Sequence, residues 1–247
     1  MENKEKSQKA PRKRRLALWI ILAVFVLLAG SAGIYAGDYY RAEPEALAVM
    51  EKGAPGVRVE QKGGRTVFTP ESPKAGLIFY PGGKVEETAY APLLRQTALE
   101  GMDVFLVKMP FRLAVFGADR AADVMALYDY DRWYVGGHSL GGAMAAVFAA
   151  EHGEEMAGAV LLAAYPTRPL DDGLVLLSVR GSEDGVLDLS RVAEGARYAP
   201  RDCREYVIEG GNHAGFGNYG AQRGDGIAAV SPEEQQRQTA LFISSLP

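Results

Sequence analysis

Trp133-Tyr134-Val135-Gly136-Gly137-His138-Ser139-Leu140-Gly141-Gly142-Ala143 decides the fold of this chain. Its aromatic and β-branched start reads as a strand, and Ala143, Ala145, Ala146, Ala149 and Ala150 read as a helix of small residues. Between them stands Gly-x-Ser-x-Gly, the turn of a nucleophile elbow, in which a strained serine lifts its Oγ clear of a sheet and glycines let strand and helix pass closely. The letters alone are a weak signal. The strand before and the helix after them make Ser139 the expected nucleophile of a serine hydrolase.

Such a serine needs a base, and the chain has three histidines. His138 lies inside the elbow, where the turn points it away from its neighbour's hydroxyl. His152 closes the elbow helix before Gly153, a left-handed cap by expectation, and there a histidine serves the helix dipole. His213 remains, in Gly210-Gly211-Asn212-His213-Ala214-Gly215-Phe216, directly after the late strand Glu205-Tyr206-Val207-Ile208. Elimination and position make it the candidate base.

The orienting acid belongs between serine and histidine, at a strand end. Leu174–Arg180 is an almost wholly apolar run followed by Gly181-Ser182-Glu183-Asp184-Gly185. Asp184, before a turn glycine, is the choice, with Glu183 the neighbouring alternative. Asp188 reads as a helix cap. The order Ser139, Asp184, His213 is that of α/β-hydrolases. Two backbone N–H groups should stabilise the oxyanion: that of Leu140, and one from the loop Pro81-Gly82-Gly83-Lys84 after the strand Ala75–Tyr80. Gly83 is assigned, with Gly82 and Lys84 as alternatives; the Lys84 side chain reads as exposed.

Tyr-Pro-Gly-Gly-Lys at 80–84, Lys-Met-Pro at 108–110, Gly-Gly-His-Ser-Leu-Gly-Gly at 136–142, Gly-Ser-Glu-Asp-Gly-Val at 181–186 and Gly-Gly-Asn-His-Ala at 210–214 occur in this order. Over roughly residues 55–247 the chain resembles the bacterial α/β-hydrolase fold-five family, a group similar to dienelactone hydrolases and small esterases. The resemblance implies the same triad, Ser139, Asp184 and His213. Proline at 81, where many lipases have the histidine of a His-Gly-Gly loop, is a departure that bears on the oxyanion donors.

Lys9 to Arg15 is a basic run abutting Leu16–Ala36, which carries no charge and is long enough to span a bilayer as a helix. This pattern predicts a cytoplasmic basic tail at 1–15, an anchor at 16–36 and an extracytoplasmic body. A cleaved signal peptide is the rival, with small residues at Ser31 and Gly33, though the apolar run exceeds a usual signal core. Residues 1–36 hold seven basic and two acidic residues, leaving 20 and 29 for the rest, a net of −9. That acidic body argues against nucleic acid as a partner. The single cysteine, Cys203, allows no internal disulfide and reads as a small strand or core residue. No Cys/His cluster suggests a metal, and no cofactor is expected.

Residues 37–54 read as a helical stalk and 55–247 as one catalytic domain. Val57–Glu60 and Thr66–Thr69 form an expected hairpin. Strands near 75–80, 103–108, 132–137, 157–164, 174–180 and 205–209 then alternate with helices near 87–100, 117–127, 140–152, 188–197 and 232–245, so a mainly parallel sheet covered on both faces is expected. Tyr165–Gly173 is too short to hold a lid domain. Phe111 and Phe216 are expected to line a substrate pocket, helix packing being the other reading for the aromatics near 111. Hydrolysis of small esters is the leading function. Amide, peptide or acyl-transfer chemistry uses the same machinery, and a silent hydrolase fold acting as an envelope binding protein would show a broken triad, which this sequence does not.

Overall fold

The computed structural model describes residues 12–52 and 55–247. The chain divides into two units, Met1–Tyr39 and Tyr40–Pro247.

Among its described residues the first unit holds one helix, α1 (Arg12–Gly37). Its stretch Arg14–Ser31 has a mean hydropathy of 1.9, and Leu16, Trp19, Phe25 and Leu27 are all more than 60% exposed. A helix of this length reaches about 39 Å at 1.5 Å per residue, enough to cross a bilayer, and a signal sequence has the same character. Lys9, Ala10 and Pro11 of the basic run lie outside the described residues, as do Gly53 and Ala54.

The second unit opens with α2 (Pro44–Lys52) and continues through β1 (Val57–Lys62), β2 (Arg65–Pro70), β3 (Ala75–Tyr80), α3 (Ala91–Leu99), β4 (Met102–Val107), α4 (Arg120–Met125), β5 (Trp133–His138), α5 (Leu140–Glu151), β6 (Gly158–Leu162), β7 (Val175–Gly181), α6 (Leu189–Gly195), β8 (Asp202–Ile208) and α7 (Pro232–Ser244). One eight-stranded sheet runs β1-β2-β4-β3-β5-β6-β7-β8. The β1–β2 and β2–β4 pairs are antiparallel, and all later pairs are parallel.

Because side chains alternate across a strand, a sheet buried on both faces needs apolar residues at every position. β3, β4, β5 and β6 meet that demand at all but Asp103 and His138, and every residue in them is buried. Leu77, Phe79, Val104, Leu106, Val160 and Leu162 pack on one side with Leu93 and Leu94 of α3 and Ile243 of α7. Ile78, Tyr80, Phe105, Val107, Val135 and Leu161 pack on the other with Ala145, Ala146, Phe148 and Ala149 of α5. Cys203, a free thiol in β8, is half-buried at the margin of this second cluster.

Residues 40–52, expected to extend from the apolar helix as a stalk, are instead built into the second unit. Only 44–52 are helical, and Ala46 is fully buried. Two further corrections concern local geometry. Gly153 is not left-handed; α5 ends at Glu151 with His152 as its cap, and Gly153 opens a 3-10 turn over Gly153–Glu155. Lys84 is half-buried, and its backbone is tied on both sides.

Candidate active site

The link between β5 and α5 places Ser139 at φ 52° and ψ −121°, a conformation an L-residue adopts only under constraint. The constraint is visible. Ser139 N–H donates to the Leu162 carbonyl of β6 (2.9 Å), and its own carbonyl accepts from Ala143 N–H (3.0 Å). The glycines around it are required by space: a Cβ on Gly141 would lie 2.2 Å from the Tyr80 carbonyl oxygen, and one on Gly137 would lie 2.6 Å from the Gly141 backbone.

β7 and β8 are neighbours, so the loops leaving their ends meet. Asp184 comes from the first and His213 from the second. His213 Nδ1 is 2.9 Å from Asp184 Oδ2 and 3.1 Å from Oδ1. Asp184 Oδ1 also accepts from Val186 N–H (2.9 Å) and Leu187 N–H (2.8 Å). Burial alone would raise the Asp184 carboxyl, but the bond and charge of His213 and these two amides outweigh it and hold the group below its ordinary value. An ionised carboxylate only accepts, so Nδ1 carries a proton and Nε2 of a neutral ring offers its lone pair. Nε2 is buried and has no hydrogen-bond partner among the described residues. His213, Ser139 and Leu140 line one cleft of about 330 Å³, together with Ala163, Tyr165 and Arg191. Glu183 is exposed and accepts from Ser182 Oγ (3.1 Å) instead. Asp188 caps α6 through Ser190 and Arg191 N–H.

The loop after β3 leaves one amide over. Gly82 N–H donates to Tyr90 Oη (3.1 Å), Lys84 N–H to the Arg112 carbonyl (2.9 Å) and Val85 N–H to the Gly82 carbonyl (3.3 Å). Gly83 N–H has no partner among the described residues. Gly83 also abuts the elbow, since a Cβ there would stand 3.0 Å from Leu140 Cδ2. Leu140 is the first residue of α5, whose opening N–H groups have no acceptor within the helix.

Neither aromatic expected at a pocket lines this cleft. Phe216 is fully buried, its ring 5.6 Å from that of His138, so no substrate reaches it. Phe111 is 69% exposed and stands edge-on to Phe116 at 5.9 Å, because a left-handed φ of 52° turns it out of the core. His138 is buried with its ring 4.5 Å from that of His213. Tyr90 Oη accepts from Gly82 N–H, so its hydrogen goes to His138 Nδ1 at 2.8 Å. Burial, and then the neighbouring His213, keep His138 neutral far below the usual histidine range. His152 lies apart, stacked on Phe148 at 4.2 Å and 3.0 Å from Glu155.

Asp225 escaped the reading of the sequence. Its Oδ1 accepts from His213 N–H (3.1 Å) and Gly185 N–H (3.2 Å), and its Oδ2 from Ala214 N–H (2.8 Å), so one carboxylate ties the Asp184 loop to the His213 loop. The signal available was Gly224-Asp225-Gly226, a second Asp-Gly turn resembling Asp184-Gly185. Among the described residues, no group of three or more His, Cys, Asp or Glu is arranged to hold a metal ion.

The sequence model of the alpha/beta hydrolase family matches residues 76–237. No curated protein matches the chain by sequence. Among solved structures, a predicted CIB-like hydrolase from Thermoplasma acidophilum is 19% identical with a TM-score of 0.57, over 77% of this chain and all of that one. A dienelactone hydrolase from Anabaena variabilis is 15% identical with a TM-score of 0.55, over 77% of this chain and 97% of that one. A membrane phospholipase A described as a bacterial virulence factor is 16% identical with a TM-score of 0.56, over 96% of this chain and 99% of that one. At these identities the likeness is one of fold.

Proposed function

The chain belongs to the alpha/beta hydrolase family, and we propose that it works as a membrane-anchored serine hydrolase cleaving small carboxylic esters through an acyl-enzyme. Ser139 Oγ attacks the acyl carbon, and His213 Nε2 takes its proton. Asp184 holds the imidazole in the required tautomer and stabilises the imidazolium that forms. The negative charge on the former carbonyl oxygen is received by the N–H groups of Gly83 and Leu140, donors of a kind worth about 3–4 kcal/mol each. His213 then returns the proton to the departing alkoxide. Water enters, His213 activates it, and the acid leaves with Ser139 regenerated.

The observation that carries this reading is the pairing of His213 Nδ1 with a buried carboxylate. It leaves an unpartnered Nε2 on a histidine that shares one cleft with Ser139. The cleft volume of about 330 Å³ lies at the small end for ligand sites, which favours small esters. Similar structures named as a dienelactone hydrolase and a phospholipase A support ester chemistry. Amide hydrolysis and acyl transfer would use the same groups.

The apolar stretch of α1 and the basic residues that precede that stretch support an anchor with the body on the extracytoplasmic side. Labelling by a fluorophosphonate probe tests the site. Wild type should label and Ser139→Ala should not, with esterase activity in the variant falling to about 10³–10⁴-fold over water. Equal labelling of both proteins would refute the assignment. Protease added from the periplasmic or outer side should digest the body, and protection there would reverse the topology.

A further inference from the structure

Tyr40-Arg41-Ala42-Glu43, read in sequence as part of a helical stalk, lies outside the helices and named strands of the fold, yet its backbone is heavily engaged. Tyr40 N–H donates to the Lys84 carbonyl (2.8 Å), and Glu86 N–H donates back to the Tyr40 carbonyl (2.9 Å), making a parallel bridge to Val85. Ala42 N–H donates to Glu86 Oε2 (3.1 Å). Glu43 N–H donates to the Asn218 carbonyl (2.8 Å), and Tyr40 Oη accepts from Arg223 N–H (3.2 Å). The Tyr40 ring lies 5.6 Å from that of Tyr219. One short segment therefore holds the loop carrying Gly83 and the loop that follows His213.

The first of these loops needs holding. Lys84 sits at φ 58°, and its N–H meets the carbonyl of Arg112, itself at φ 57° beside Phe111 at 52°. Three non-glycine residues in the left-handed region do not persist unless their surroundings impose it. Tyr90 fixes Gly82 N–H, Arg112 fixes Lys84 N–H, and Tyr40 takes both the Lys84 carbonyl and Glu86 N–H. Tyr40 therefore holds the carbonyl side of Lys84 as Arg112 holds its N–H, and the place of Gly83 N–H depends on that geometry.

We propose that Tyr40–Glu43 is a strap that sets the position of the Gly83 donor, with Tyr40 and Glu86 as positioning residues for the reaction assigned to Ser139, a reading on which this inference rests. An oxyanion donor works only within a few tenths of an ångström of its place, so a loosened strap weakens transition-state binding and spares ground-state binding.

The test uses full-length protein reconstituted in vesicles. Tyr40→Pro removes the N–H donated to Lys84. It should lower kcat on p-nitrophenyl acetate about 10–100-fold, leave KM within about threefold, and weaken an aryl trifluoromethyl ketone in proportion to kcat. Glu86→Ala should lose about 3–10-fold in kcat, and Glu86→Gln, which keeps an acceptor for Ala42 N–H, should recover it. The Glu86 pair decides the matter if Tyr40→Pro does not fold. Wild-type kcat and ketone affinity in folded Tyr40→Pro or Glu86→Ala, or a fall in melting temperature without a kcat change, overturns the strap alone. Turnover at the wild-type rate in Ser139→Ala overturns the site assignment, and the strap with it.

Discussion

His213 Nδ1 and Asp184 Oδ2 stand 2.9 Å apart in a pair whose side chains are 1% and 2% exposed. The bond is shielded from solvent, and Asp184 is the hydrogen-bond partner that orients the imidazole. Asp184→Asn should therefore lower kcat by about 10⁴-fold, because an amide can donate to Nδ1 and stabilise the wrong tautomer. Glu183→Gln should stay within about threefold of wild type, its carboxylate being exposed and bound to Ser182. Steady-state kinetics on one soluble ester distinguishes the two, and a larger loss from Glu183→Gln would move the acid to that residue.

The glycines of the site should respond unequally to a methyl group. A Cβ on Gly83 meets the movable end of Leu140, so Gly83→Ala should fold and lose about tenfold in kcat through a displaced donor. On Gly141 the same atom meets the Tyr80 carbonyl at 2.2 Å, where only backbone could yield. Gly141→Ala should cost more than about 3 kcal/mol in denaturant unfolding. Comparable stability of the two variants would contradict the packing described.

His138 gives the protein an acid-side stability loss. In the fold it remains neutral far below pH 6.5, whereas the unfolded chain takes up a proton there as pH falls through 6.5. The unfolded state binds more protons in that window, so stability rises with pH up to about 6.5 and drops below it, by at most about 1.4 kcal/mol per pH unit from this group. Unfolding midpoints from pH 5 to 8 should show a shallower acid slope in His138→Gln than in wild type. Parallel slopes would mean that other groups account for the loss.

The connection from β6 to β7 contains no helix, and small side chains at Ala143, Ala163 and Ala164 line the cleft beside it. Each buried methylene contributes about 0.8 kcal/mol only while there is apolar wall to receive it. kcat/KM on p-nitrophenyl esters should accordingly peak at acetyl to butyryl and decline by octanoyl, without activation by an ester–water interface. A steady climb to long chains would reveal an apolar channel that the cleft does not display.

Much of this architecture was legible because its signals are local. The elbow motif, the apolar runs at 75–80 and 174–180, and the Asp188 cap each declare themselves within a few residues. What escaped depends on partners distant in the chain. Phe216 reads as pocket wall until His138 is placed against it, and Tyr90 meets His138 across 48 residues. Asp225 bonds amides 11, 12 and 40 positions away. Tyr40 works largely through its backbone, which leaves no trace in residue type.

The tight passage of β5 and α5 also governs how this molecule could be remade by selection. At Gly137, Gly141 and Gly142 every replacement side chain begins with an atom already inside another's radius, so a mutant library spent on the elbow returns almost only collapsed proteins. Tyr165, Val186, Leu187 and Arg191 line the same cleft from loops and the start of α6, with Val186 and Arg191 exposed. New substrate preferences are to be sought by varying those four positions around a centre that tolerates no revision.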